Sequence, residues 1–490
     1  MKILKLLEDI EIIDIRGIEK IIDAEIEGIS SNSKNIRKNY VFIALKGERV
    51  DGHLFIEEAI QNGAIAVIGE NEILGDFPYI RVLDSKKAYA FISSNFYGNP
   101  FRYIKTIGVT GTNGKTTTVN LIGSILEADG ERVGIIGTLG AKLGNEILPT
   151  EFTTPEQLLL AELYSKAKAS GISRIVMEVS SHSLVQHRVD AINFEGAVFT
   201  NLTQDHLDFH KDMEAYFQAK RRLFEMVSKV ENGIMVINTD DPYGERLVRE
   251  FEANHPITYG IKKPAMVTAR NIKTSPEGLF FELAIGGESF NVRSKLLGEI
   301  NVYNILSAIG YIYAIGRSID RAIDVIRDFN PVRGRLERID LGQSFYVFID
   351  YAHTPDALER VLRVARTFGK RLLVVFGCGG NRDKTKRPIM GDIATKLSDL
   401  AIITSDNPRN EDPMRIIEDI ISGITKDNYI VKEDRKEAIE HAINIAEPED
   451  VIVIAGKGHE TYQIFKDVTI HFDDREVAIE AIKRRINGGQ

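Results

Sequence analysis

Apolar residues along this chain gather into runs of five or six with few polar interruptions, separated by longer stretches in which they recur at helical spacing. Up to residue 100 the segments are short: an apolar helix-like start, the strand-like Tyr40–Leu45, a helical pattern over His53–Asn62 and the strand-like Ala64–Ile68. They predict a small α/β domain over 1–100, closed by the helix-breaking turn Tyr97-Gly98-Asn99-Pro100. From 101 the runs Ile104–Val109, Val133–Gly137, Arg174–Val179, Gly196–Thr200 and Ile234–Asn238 alternate with helical stretches. Runs rich in Val and Ile without polar alternation predict strands buried on both faces of a mostly parallel sheet, a central domain over 101–330. A second series, with Arg371–Phe376, Leu400–Thr404 and Asp450–Ala455, predicts a smaller, doubly wound, Rossmann-like α/β domain over 331–490.

Composition narrows the classes. Hydrophobic residues at 43% and charged residues at 27% are ordinary for a globular chain. A formal net charge of -9 argues against general nucleic-acid binding, so any anionic ligand must meet local positive sites. The single cysteine, Cys378, excludes an intramolecular disulfide framework and a thiolate zinc cluster. Met1–Arg16 mixes Leu and Ile with charges, unlike a signal peptide, and no apolar stretch is long enough to span a membrane. A cytoplasmic protein is expected.

The strand-like Ile104–Val109 runs into Thr110-Gly111-Thr112-Asn113-Gly114-Lys115-Thr116-Thr117, followed by a helical stretch to Ala128. Strand, glycine loop and helix are the context of a phosphate loop: glycines let backbone N–H groups approach phosphate, and the helix N-terminus adds positive character. Lys115 would reach the β/γ-phosphates, and Thr116 would hold Mg²⁺. Val109 stands where the usual pattern has its first glycine, so the loop is a variant. An ordinary Gly-rich turn opening a helix is the plainer alternative.

Beyond the loop, Glu178 ends a strand before Val179-Ser180-Ser181-His182, where it would ligate a second Mg²⁺ or be a solvated strand-end charge. Asn201-Leu202 leads into Asp205-His206-Leu207-Asp208-Phe209-His210; without a cysteine or zincin spacing, one imidazole is read as a Mg²⁺ or water ligand and the other as structural, with simple capping as the alternative. Lys220 lies on a helical stretch from Met213 and, taken alone, reads as a surface residue.

These motifs, with Gly298–Asn304 and Asp350-Tyr351-Ala352-His353-Thr354-Pro355 after them, resemble the Mur ligase family along essentially the whole chain. Glu178–Arg188, Gly377–Lys384, Asp406-Asn407-Pro408-Arg409 and Gly456–Glu460 resemble the branch that adds a diamino acid to UDP-N-acetylmuramoyl-L-alanyl-D-glutamate. The resemblance implies an ATP- and Mg²⁺-dependent ligase of cytoplasmic peptidoglycan synthesis, tied to cell shape and division, that activates a carboxylate as an acyl phosphate. It implies an ATP site of Gly111, Thr112, Asn113, Gly114, Lys115, Thr116 and Thr117, with Asn304 toward adenine and Arg335, Asp350, Tyr351 and His353 from the C-terminal domain. The UDP-sugar-peptide would take Ser33, Thr153, Thr154, Ser180, Gln186 and Arg188; Asn32-Ser33-Lys34 departs from the family's Asp-Ser-Arg. Lys220 is implied to be a carbamate formed with CO₂, joining Thr116, Glu178 and His206 around metal; Lys115, Glu178, His206 and Lys220 form the expected catalytic group.

On the acceptor side, Arg suits the second carboxylate of meso-diaminopimelate, which lysine lacks. Arg409 matches the diaminopimelate version of its motif, and Arg382, Asp406, Asn407, Pro408, Gly456 and Glu460 complete the implied pocket; a helix-start arginine is the plain reading of Arg409. The base for the incoming amine stays open between His206, a nearby carboxylate and solvent. A monomer is expected. The alternatives are the L-lysine-adding enzyme, folylpolyglutamate synthetase or another Mur ligase and, from another class, a P-loop nucleotide-regulated binding module.

Overall fold

A computed structural model describes residues 1–47, 50–207 and 209–488; Asp208 of the expected motif lies outside them. The chain divides into two compact units, one of Met1–Ala269, Ala284–Glu288 and Tyr303–Val325, the other of Arg270–Leu283, Ser289–Val302 and Ile326–Gln490.

The first unit opens with β1 (Ile12–Arg16), β2 (Gly28–Ser30), β3 (Tyr40–Ile43), β4 (Ala64–Gly69) and β5 (Tyr79–Val82), in the order β1-β5-β4-β3-β2. Only β1 runs antiparallel to its neighbour. The helix expected over His53–Asn62 is a 3₁₀ turn, Gly52–Phe55, running into the α-helix Ile56–Gln61, because the Asp51 carboxylate accepts the His53 amide at 3.0 Å and tightens the entry.

Next come β6 (Lys105–Thr110), β7 (Val133–Gly137), β8 (Gly140–Leu143), β9 (Glu146–Leu148), β10 (Arg174–Glu178), β11 (Phe194–Phe199), β12 (Ile234–Asn238) and β13 (Ile257–Gly260). Their order is β13-β12-β11-β6-β10-β7-β8-β9. The pairs from β13 to β7 are parallel, and every residue of β7 and β10 is buried, as a sheet covered on both faces requires. The antiparallel β8 and β9, which the apolar runs did not announce, hang on β7 as a hairpin. Parallel register aligns the C-terminal strand ends, with Glu178 opposite Val109 and Phe199 opposite Thr110. That edge is where open α/β sheets bind ligands.

Three strands follow side by side, β14 (Val267–Ser275), β15 (Gly278–Ile285) and β16 (Glu288–Ser294). The second unit holds β17 (Glu337–Ile339), β18 (Tyr346–Asp350), β19 (Leu372–Phe376), β20 (Leu400–Ile403), β21 (Tyr429–Val431) and β22 (Val451–Ala455), ordered β17-β18-β22-β19-β20-β21 and parallel except at β17. Leu372, Val374 and Phe376 pack against Leu358, Leu362 and Met390 on one face, while Leu373 and Val375 pack against Ile439, Ile443 and Ala478 on the other. Alternate residues of one fully buried strand thus serve two cores, the doubly wound pattern. The hairpin β23 (Tyr462–Phe465) and β24 (Val468–His471) follows. Among the described residues no helix is long and apolar enough to cross a membrane.

Candidate active site

The loop after β6 holds two glycines that its shape demands. Gly111 has φ +149° and Gly114 φ +88°; a Cβ would overlap the Thr200 hydroxyl at the first and the Asn304 carboxamide oxygen at the second. The loop is braced by the end of β11: the amides of Thr112 and Asn113 donate to the Asn201 carbonyl at 2.8 Å and its Oδ1 at 3.0 Å, and Thr200 Oγ donates to the Asn113 carbonyl at 2.6 Å. Lys115 opens the helix Lys115–Ala128, and its Nζ donates to the carbonyls of Gly111 and Thr112, each at 2.9 Å. Thr116 and Thr117 are buried in that first turn. A tight glycine cradle at a helix N-terminus with a lysine over it fits a polyphosphate.

Lys220 comes to the same loop. It lies on the helix Met213–Ser228, whose buried stripe includes Tyr216, Phe217, Leu223 and Phe224, and it is 2% exposed. Its Nζ donates to the Gly111 carbonyl at 2.9 Å and sits 4.7 Å from the centre of the Tyr216 ring. Burial, reinforced by the Lys115 charge and opposed by Asp205, lowers its pKa well below the ordinary lysine value. A side chain that reads as a surface lysine when taken alone is a buried amine held toward its neutral form.

Glu178 is 1% exposed, so the solvated reading of this carboxylate does not hold. Its Oε1 accepts the Thr138 amide at 2.9 Å and Oε2 the Thr138 hydroxyl at 3.3 Å. Thr138 Oγ is 3.2 Å from Thr153 Oγ, and Thr154 Oγ donates to the Glu178 carbonyl at 2.8 Å while accepting the Ser180 amide at 3.0 Å. Arg188, 9% exposed, donates to the Thr154 carbonyl at 2.8 Å and to Gln186 Oε1 at 2.7 Å, and its guanidinium lies 4.5 Å from the centre of the Phe152 ring. Thr153, Thr154, Ser180, Gln186 and Arg188 therefore form one connected group beside Glu178. Ser33, in the small N-terminal sheet region, donates instead to Glu58 at 2.5 Å.

The imidazoles divide. His210 is 4% exposed, 2.9 Å from Ser181 Oγ and stacked on Tyr216 at 4.9 Å. His206 is more exposed, has φ +53° and packs edge-on to His182 at 4.9 Å. Among the described residues no three His, Cys, Asp or Glu side chains are grouped for a metal. Of Thr116, Glu178, His206 and Lys220, only Glu178 brings an anionic oxygen; a carbamate on Lys220 would supply a second, which is the donor chemistry Mg²⁺ needs.

In the second unit Asp350 is buried at the end of β18, and burial raises its pKa to about 6 although it accepts the Leu336 amide at 2.7 Å and the Ala352 amide at 2.8 Å. The Arg335 guanidinium lies 5.0 Å from the Tyr351 ring centre, with the rings of His353 and His459 at 4.6 and 4.9 Å. Arg409 stands in a loop at φ +53°, not at a helix start; its amide donates to the Ile464 carbonyl at 3.0 Å and its Nη1 to the Gly380 carbonyl at 3.0 Å. A Cβ at Gly456 would come within 2.8 Å of Asp406 Oδ2. Asn407, which donates to Glu460 at 2.9 Å, and Pro408 are buried, and Arg382 lies on an exposed turn.

Thr138, Thr200, Asn201, Tyr216 and Glu58 also hold these groups, and sequence reasoning gave them no role. Tyr216 had a legible signal, its place four residues before Lys220 on one helix stripe; the others act through contacts between residues distant in sequence, which leave no local pattern.

Residues 25–97 match the Mur ligase family catalytic domain, 109–312 the Mur ligase middle domain and 334–458 the Mur ligase glutamate ligase domain. The chain is 47% identical to UDP-N-acetylmuramoyl-L-alanyl-D-glutamate--2,6-diaminopimelate ligase of Clostridium tetani over 99% of both chains, and 45% identical to the protein of the same name from Caldanaerobacter subterraneus over 94% of this chain and 95% of that one. A solved structure of a ligase of that name superposes with a TM-score of 0.70 at 32% identity, covering 99% of each chain.

Proposed function

Because this chain belongs to the Mur ligase family, we propose that it joins meso-2,6-diaminopimelate to UDP-N-acetylmuramoyl-L-alanyl-D-glutamate at the expense of ATP, in cytoplasmic peptidoglycan precursor synthesis. The observation that carries the reading is the meeting at Gly111 of a phosphate cradle, Lys115 and the buried Lys220.

A carboxylate is a poor electrophile, and ATP supplies on binding the phosphoryl group that converts it to an acyl phosphate. Lys115 and the loop amides would hold that group and neutralise its charge. Lys220, buried and held toward its neutral form, is suited to add CO₂ through its nitrogen lone pair with loss of one N–H proton, giving a carbamate. Carbamate, Glu178, Thr116 and His206 would then hold Mg²⁺. Thr153, Thr154, Ser180, Gln186 and Arg188, together with Ser33, would hold the UDP-sugar-peptide with its D-glutamyl carboxylate at the site.

Asn304, Arg335, Asp350, Tyr351 and His353 are assigned to the nucleotide, and Arg382, Asp406, Asn407, Pro408, Arg409, Gly456 and Glu460 to the amino acid. The Arg409 guanidinium would pair with the distal carboxylate, and Glu460 with the distal ammonium. The incoming amine loses a proton, attacks the acyl carbon and displaces phosphate. We assign residues 1–100 to the UDP-sugar, 101–330 to ATP and 331–490 to the amino acid, in a monomer. Steady-state rates with meso-diaminopimelate and L-lysine in parallel test the assignment: faster turnover with lysine would refute it.

A further inference from the structure

Lys457 lies in the loop after β22 with its side chain fully buried. Its Nζ donates to Asn407 Oδ1 at 3.1 Å and to Glu460 Oε2 at 3.0 Å, while Asn407 Nδ2 donates to the same Glu460 oxygen at 2.9 Å. The triangle is closed from outside by the Ile464 amide, which donates to Asn407 Oδ1 at 3.0 Å, and the Lys457 ammonium faces the Tyr462 ring with 5.5 Å to its centre.

These bonds settle each group's orientation. Asn407 must present its oxygen to two donors and its NH₂ to Glu460, so the carboxamide has one orientation. Glu460, 16% exposed in its side chain, has one oxygen held by two donors and thereby points the other in a fixed direction. A wholly buried ammonium is costly unless paired, and Glu460 is the carboxylate it pairs with.

From this we infer that Lys457 is a positioning residue of the amino-acid pocket: it acts through Asn407 and Glu460, holding that carboxylate aimed before the diamino acid arrives. The inference rests on the reading of Glu460 and Asn407 as amino-acid contacts. An ammonium already in place means that the incoming one need not pay for orienting a loose, partly buried carboxylate. It also makes Glu460 answer to two cations, so the pocket selects for a ligand amine placed on the oxygen that Lys457 leaves open.

The test uses the full chain with saturating ATP and UDP-N-acetylmuramoyl-L-alanyl-D-glutamate and varied meso-diaminopimelate, comparing the unaltered protein, Lys457→Met, Glu460→Gln and the double variant. The expectation is at least a tenfold rise in the diaminopimelate KM of Lys457→Met, an ATP KM within twofold of the unaltered value, and a double variant no worse than the worse single one. An unchanged diaminopimelate KM, equal rises for all substrates, or effects that multiply in the double variant would overturn it. Should Lys457→Met not fold, Lys457→Gln, which keeps a donor without the charge, carries the same expectation; failure of both to fold would reduce Lys457 to a structural residue and also overturn it. Absence of diaminopimelate ligation by the unaltered protein would instead strike at the reading of the pocket.

Discussion

Replacing Lys220 by methionine probes the buried amine directly. The unfolded chain keeps a lysine protonated up to about pH 10.4, whereas the folded chain, with Lys220 2% exposed and the Lys115 charge opposing it, has the pKa pushed well down. Between those two values unfolding takes up a proton, so the folded state gains stability as pH rises, by about 1.4 kcal/mol per pH unit. From pH 7.5 to 9.0 that amounts to at most about 2 kcal/mol for the unaltered protein, reached if the amine is neutral in the fold over the whole range, and to nothing from a methionine, which binds no proton. Methionine is a near match in length and keeps a side chain against the Tyr216 ring, so the comparison isolates the charge. Urea unfolding in CO₂-free buffer at both pH values measures it: the unaltered protein is expected to gain stability on the variant as pH rises, by up to about 2 kcal/mol over this range, and the variant to have lost turnover. A stability difference that stays constant with pH would mean that Lys220 is charged in the fold, leaving no neutral amine for CO₂.

Gly114→Ala imposes a left-handed backbone on a residue with Cβ, costing about 1–2 kcal/mol, and drives that Cβ into Asn304; at least a roughly tenfold rise in the ATP KM is expected from phosphate-release rates, since the cost falls on the phosphate cradle. Arg409→Met removes the guanidinium and is expected to erase about 5- to 150-fold of preference for meso-diaminopimelate over L-lysine in competition assays read by product mass. Asp350, raised to about 6, binds its proton more tightly folded than unfolded; its stability contribution is therefore present below about pH 4 and lost as pH rises through 6. Asp350→Asn should abolish that slope, worth roughly 2 kcal/mol between pH 4.5 and 7.5, when urea unfolding at the two pH values is compared with that of the unaltered protein.

Buried parallel strands were the most legible part of the chain because their apolar runs carry no alternation to confuse: Val133–Gly137 and Ile234–Asn238 match β7 and β12 end to end. The hairpin β8–β9 escaped notice because Gly140–Leu143 and Glu146–Leu148 are short, and the second is largely exposed. The phosphate loop was readable because its glycines answer to steric demands that no other residue meets. Lys220 in isolation was not, although the spacing Tyr216, Lys220, Leu223, Phe224 sets it on the helix's buried stripe and argues against a surface position. Lys457 belongs to the same kind of oversight: its partner Glu460 is three residues away, but the Asn407 that joins them lies fifty residues back, a contact that only the fold creates.

Mass analysis and phosphate stoichiometry on a single reaction probe the ligase assignment most directly. Purified chain with Mg²⁺, ATP, UDP-N-acetylmuramoyl-L-alanyl-D-glutamate and meso-diaminopimelate should yield one new amide-linked product per phosphate released, with neither forming when the UDP-dipeptide or the amino acid is left out. Phosphate release that needs no carboxylic co-substrate, or a complete reaction with no condensed product, would contradict it.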